Sequence, residues 1–102
     1  MRDRIIIARM HRSQFESLLA ACDGDLLGKC FKDGKLRLDI REDFYGTVQV
    51  DEGTFRNMLA ACTIANLCGK DVVGIAIESG LIDGKNVLVI GGVPHAQFAC
   101  MR

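Results

Sequence analysis

The period of apolar positions changes several times along the chain, and each change marks an element. Ile5-Ile6-Ile7-Ala8 heads a β-branched run from Arg4 to Met10 with no helix cap, which predicts a buried central strand ending at His11-Arg12-Ser13. Phe15 to Cys22 supports two readings. Phe15, Leu18, Leu19 and Cys22 follow helical spacing, and Ser13 with Glu16 has the form of a capping box. Leu18 to Cys22 is also a compact apolar run before Asp23-Gly24, suited to a strand pairing with the first. Further on, Gly28 to Lys32 and Lys35 to Ile40 flank Asp33-Gly34, a hairpin signal. Leu36, Leu38 and Ile40 alternate there with Lys35, Arg37 and Asp39, so one face of that strand is buried and the other wet.

After Phe44-Tyr45-Gly46 the spacing turns helical. Asp51 is the expected N-cap, Val50 and Phe55 suit a hydrophobic staple, and Phe55, Met58, Leu59 and Cys62 form the buried stripe of a helix running to Gly69. A second helix is expected to run to Ser79 with Asp71 as its cap, Val72, Ile75 and Ala76 inward and Gly80 beyond its end. Asp83-Gly84 turns the chain into a last strand, Asn86 to Ile90, whose unbroken apolar run predicts burial on both faces. The result is an α+β fold: a two-layer sandwich of four to five mainly antiparallel strands, with a helical hairpin inserted before the last strand. Residues 1–102 are expected to form one domain.

Beyond that strand lies Gly91-Gly92-Val93-Pro94-His95-Ala96-Gln97. The glycines admit positive φ, and Pro94 fixes its own φ while pushing Val93 towards extended angles, so the segment is shaped as if to present His95 at the surface.

Composition narrows the function classes. An apolar fraction of 49% with 25% charged residues is that of a globular chain, and no apolar run reaches the roughly 20 residues that cross a bilayer. No membrane association is expected. The N-terminal Met-Arg-Asp-Arg has no signal-peptide character, which places the protein in the cytoplasm with its five cysteines reduced. Net charge is zero, yet residues 1–41 hold nine Lys/Arg against six Asp/Glu and residues 42–102 hold four against seven, so the surface is expected to be polarised.

A DNA-reading helix-turn-helix fails because the second helix, Asp71 to Ser79, lacks Arg, Lys, Asn and Gln to reach base edges. No metal site and no cofactor are expected, since Cys22/Cys30 and Cys62/Cys68 lack ligand spacing. Cys22 beside Asp23 is a candidate nucleophile and His95 a candidate acid/base, provided that the last strand neighbours the second. Lys29, Lys32, Lys35, Arg37 and Arg41, interleaved with Phe31, Phe44 and Tyr45, form a basic series suited to phosphates and bases, interrupted by Asp33, Asp39, Glu42 and Asp43.

Cys22-Asp23 with Leu26-Leu27-Gly28-Lys29, Phe44-Tyr45-Gly46, Ala65-Asn66 with Gly69, and the Gly91 to Gln97 motif together resemble the archaeal domain-of-unknown-function 424 family over nearly the whole chain. Thr47 stands where a second glycine is expected. The resemblance implies a compact α/β two-layer fold, an archaeal cytoplasmic protein without an established activity, and a contextual association with translation. It also decides Phe15 to Cys22 in favour of a strand. The leading expectation is a non-enzymatic module binding RNA or a ribonucleoprotein: Lys29, Lys35 and Arg37 on phosphates, Tyr45 stacking, His95 and Gln97 in polar contacts, with Asp23, Asn66, Gly92 and Pro94 completing the site. Its rivals are a small enzyme using Cys22 or His95, supported by Asp23, Asn66 or Gln97, and a protein–protein interaction module, with a homodimer as one form of it.

Overall fold

Pairing on both sides of β-branched and small apolar segments builds a six-stranded sheet in the computed structural model, which describes residues 4–100. The strands are β1 (Ile6–Arg12), β2 (Ser17–Asp23), β5 (Gln49–Val50), β6 (Ile64–Cys68), β7 (Leu88–Ile90) and β8 (Val93–Ala99), in the order β5-β1-β2-β6-β8-β7. All neighbours are antiparallel except β2 and β6. A separate hairpin joins β3 (Cys30–Asp33) to β4 (Leu36–Asp39), and the helices are α1 (Glu42–Tyr45), α2 (Glu52–Ala61) and α3 (Lys70–Glu78). None is long and apolar enough to cross a membrane.

Both faces of the sheet are covered, so the expected two layers become three. Ile6, Ala8, Leu19, Ala21, Ala65, Leu67 and Ala96 meet Phe55 and Leu59 of α2 and Val72, Ile75 and Ala76 of α3. The opposite face, with Ile7, Ala20, Cys22, Cys68 and Val93, lies under Leu38 and Ile40 of the hairpin segment and Tyr45 of α1. Small residues at the sheet centre let the helices approach closely, while period-2 alternation supplies apolar side chains to both sides.

The strand assigned to Phe15 to Cys22 forms as β2, beginning at Ser17. The capping signal before it serves a turn instead: Glu16 N–H donates to Ser13 Oγ (3.2 Å), Ser13 N–H donates to Glu16 C=O (2.9 Å), and Phe15 points outward at 81% exposure. Asp51 caps α2 as expected, its Oδ1 accepting from Thr54 N–H at 2.7 Å. The helix stops at Ala61, however, because Ile64–Cys68 inserts as β6 between β2 and β8. Two ladders outweigh helical propensity in that stretch, and the expected helical hairpin is replaced by helix, strand, helix. The Asp33-Gly34 turn shifts by one residue, with Asp33 pairing Leu36 across Gly34-Lys35.

The last strand also departs from expectation. Leu88 and Val89 are 54% and 56% exposed because β7 is the sheet edge, and the chain reverses at Gly91-Gly92 into β8. Both glycines have positive φ (57° and 84°), the requirement of a two-residue type I′ turn. A Cβ on Gly91 would lie 3.1 Å from Phe31 Cβ and 3.2 Å from Lys32 O, so this turn packs directly against the hairpin.

Candidate functional site

Register decides which predicted residues meet. On the face under the hairpin, Cys22, Cys68 and His95 lie in one cross-strand row, while Ala20, Asn66 and Gln97 form the next. Cys22 and His95 are therefore separated by the whole of β6, about 9–10 Å between strand axes. The anticipated Cys22–His95 pair does not form; Cys68 occupies the place between them.

Tyr45 closes over this face. His11 Nε2–H donates to Phe44 C=O at 2.6 Å and its ring stacks on Phe44, tying α1 to β1. Gly46, at φ 76°, then lets the chain leave beside Arg9, whose Cδ would lie 3.3 Å from an added Cβ. The Tyr45 hydroxyl donates to Asn66 Oδ1 at 3.1 Å and lies 3.0 Å from Cys68 Sγ, while Cys68 Sγ lies 3.5 Å from His95 Nδ1. With the tyrosine proton committed to Asn66, Cys68 donates to the tyrosine oxygen and accepts from His95. Only 2% of Tyr45 is exposed, so it cannot stack on a base. Asn66 and His95 are half-buried and Gln97 exposed, so the network has an open polar rim.

Electrostatics leave this network neutral. Burial pushes the Cys22 thiol up to about 12, with Cys68 and Asp23 adding to the effect, and pushes Cys68 up to about 11. Burial also raises Tyr45 and lowers His95. No thiolate and no imidazolium is favoured at neutral pH, which denies Cys22 the activation a nucleophile requires.

Asp23 belongs to the other face. Its carboxylate accepts from Asp71 N–H and Val72 N–H, both at 3.0 Å, and so caps α3 from a distant strand in place of Asp71. Gly69 precedes the helix at φ 113°, where a Cβ would overlap that carboxylate. Pro94 completes the junction: it accepts from Gly69 N–H at 2.8 Å but has no N–H to return, and Gly69 C=O instead accepts from Val73 N–H at 3.0 Å. Asp23, Gly69, Gly92 and Pro94 consequently line one cleft of about 300 Å³, also reached by Asp25 and Lys70.

The basic residues lie elsewhere again. Lys29, Arg37 and Arg41 border a shallow cleft of about 440 Å³ together with Asp39, Glu42 and Asp43. Arg37 is paired with Asp39 at 3.0 Å and Arg41 with Asp43 at 2.9 Å. Lys32 stands opposite Arg37 in the hairpin register, and among the described residues Lys29, Lys32 and Lys35 have no carboxylate within 4.0 Å. The sequence-predicted residues thus divide among three places: Tyr45, Asn66, His95 and Gln97; Asp23, Gly92 and Pro94; and Lys29, Lys35 and Arg37.

The sequence pattern of the family described as "protein of unknown function (DUF424)" matches residues 11–101. The chain belongs to the DUF424 family. No curated protein matches it. An uncharacterized conserved protein from Methanopyrus kandleri has a similar crystal structure, with a TM-score of 0.81 and 24% identity over 95% of this chain and 92% of that one, which supports the fold. Cys68 and His11 are the residues that sequence reasoning missed in this DUF424 chain. Cys68 lies two positions after Asn66, a spacing that places both on one face only once β6 is known to be a strand.

Proposed function

We propose that this DUF424 protein is a non-enzymatic binding module for single-stranded RNA, alone or within a translation-associated ribonucleoprotein, in an archaeal cytoplasm. The observation that carries the proposal is the set of lysines Lys29, Lys32 and Lys35, on and beside the β3–β4 hairpin, which have no carboxylate partner among the described residues and accompany the salt-bridged Arg37. Cations without internal partners are the ones free to replace counterions on a phosphate chain. The neutral rim of His95, Asn66 and Gln97 adds uncharged donors and acceptors suited to base edges, and the raised thiols argue against catalysis. Tyr45 has a bracing role in this proposal.

Fluorescence anisotropy with a labelled single-stranded RNA, over a range of salt, tests it. Lys32→Ala and Lys35→Ala should each reduce the slope of log K against log salt by about 0.7. Slopes unchanged from wild type, in variants that melt normally, overturn the assignment of this face. A protein-interaction reading is favoured by a different observation, the exposed Leu88 and Val89 on the edge strand β7. It expects a dimer or captured partner by sedimentation that Val89→Lys abolishes, with RNA affinity unaltered.

A further inference from the structure

We propose that Cys62 and Cys100 form a thiol–disulfide exchange site, which reacts with small-molecule disulfides and closes an intrachain bond between α2 and the end of β8. Cys62 is the C-cap of α2, and Cys100 N–H donates to the C=O of the adjacent Thr63 at 2.8 Å, holding the two chain segments side by side. Their sulfurs lie 3.2 Å apart. Bonding brings them to about 2.05 Å, a closure of about 1.2 Å that rotation of the two cysteine side chains can supply.

The two thiols differ in access, and that difference orders the reaction. Cys100 is partly exposed and Cys62 is fully buried, its S–H donating to Leu59 C=O at 3.4 Å. Cys100 loses its proton and attacks one sulfur of the small disulfide; that S–S bond breaks and the first small thiol leaves with the proton. Cys62 then loses its proton and attacks the Cys100 sulfur, expelling the second small thiol. The protein loses two electrons and two protons, and the small disulfide becomes two thiols. The other cysteines lack this arrangement: Cys22 and Cys68 are fully buried beneath the hairpin, and Cys30 is exposed beside Asp39. The new bond restrains β8, the strand that carries His95 and Gln97.

Incubation of the folded chain with oxidised glutathione, followed by alkylation and peptide mapping, tests the site. Wild type should yield a Cys62–Cys100 linked peptide, release two equivalents of glutathione, and melt roughly 10 °C higher. Cys62→Ser should stop at a stable mixed disulfide on Cys100, and Cys100→Ser should leave Cys62 unmodified. A persistent mixed disulfide on Cys100 in wild type overturns the proposal, as does modification of Cys30 alone. The wild-type mapping decides the matter even if either variant folds poorly.

Discussion

Replacing Asp23 with alanine probes the junction on which β2, α3 and the Gly91 to Gln97 segment depend. The carboxylate is buried and accepts two backbone N–H groups, those of Asp71 and Val72, at 3.0 Å each. Losing an N-cap costs about 1 kcal/mol, and an orphaned buried amide costs about 1–3 kcal/mol. Val72 is fully buried and its N–H would find no water, whereas Asp71 is half-exposed and its N–H can. The sum is about 3 kcal/mol. For a chain of this length each kcal/mol lowers Tm by about 5 °C, so Asp23→Ala should melt about 15 °C below wild type in far-UV circular dichroism, with an unchanged urea m value. Asp23→Asn keeps one acceptor oxygen and should lose about half as much. Gly69→Ala should be severe in wild type, where its Cβ overlaps the carboxylate, but milder in the Asp23→Ala background, where only the φ of 113° opposes it. A loss below about 0.5 kcal/mol for Asp23→Ala, or equal losses for Ala and Asn, would refute the capping argument.

Other consequences are as specific. Burial raises the Asp23 carboxyl above its ordinary value despite the two amide hydrogen bonds. Its proton is then held more tightly in the folded than in the unfolded chain, so this group's contribution is greatest below the unfolded value and is lost as pH rises through the folded one; urea titrations from acid to neutral pH should show that slope in wild type and not in Asp23→Asn. Tyr45→Phe leaves Asn66 Oδ1 and Cys68 without the hydroxyl and should cost about 1–2 kcal/mol by chemical denaturation. At pH 8 in the native state, iodoacetamide should label Cys22 and Cys68 far more slowly than Cys30; labelling at equal rates would show that the hairpin does not seal the network. Gly91→Ala should destabilise by more than 1 kcal/mol, through positive φ and contact with the Lys32 carbonyl, as read by thermal melting.

Local chemistry was legible where one element decides its own structure. Asp51 caps α2 as its position suggests, and Gly80 ends α3 with Gly80 N–H on Ile77 C=O at 3.0 Å and Leu81 N–H on Ala76 C=O at 3.2 Å, a Schellman closure. The failures are tertiary. Thr63 to Cys68 continues a helical pattern, and only the open edges of β2 and β8 make it a strand. Asp71 has the residue type of a cap but is the second residue of α3, and Asp23 reaches the helix from 48 positions away. Thr47 lacks the positive φ that a second glycine would serve, so one glycine, Gly46, suffices at that turn. The glycines and Pro94 suggest a segment that presents His95 at the surface; the proline instead fits within β8, where β6 has already turned into α3, and His95 is half-buried.

The parallel pairing of β2 with β6 explains why polar chemistry collects on one face. Joining two parallel neighbours requires a long crossover, and here it runs from Gly24 to Thr63, laying the β3–β4 hairpin and α1 on one side before α2 crosses to the other. Tyr45 arrives with that crossover and seals Cys22 and Cys68 from solvent. The burial that leaves no buried side-chain nitrogen or oxygen of this network without a partner also raises its thiols and lowers its histidine, so order is gained at the expense of reactivity. What remains accessible is uncharged: the half-buried edges of Asn66, held by Tyr45, and of His95, held beside Cys68, with exposed Gln97 next to them. Rigid, neutral hydrogen-bonding groups discriminate between ligands by the cost of leaving one unpaired. The lysines of the hairpin supply attraction without such selectivity. Separate substitutions should therefore divide the two effects, with Lys32→Ala and Lys35→Ala changing salt dependence and Asn66→Ala or Gln97→Ala changing the preference among RNA sequences at constant salt.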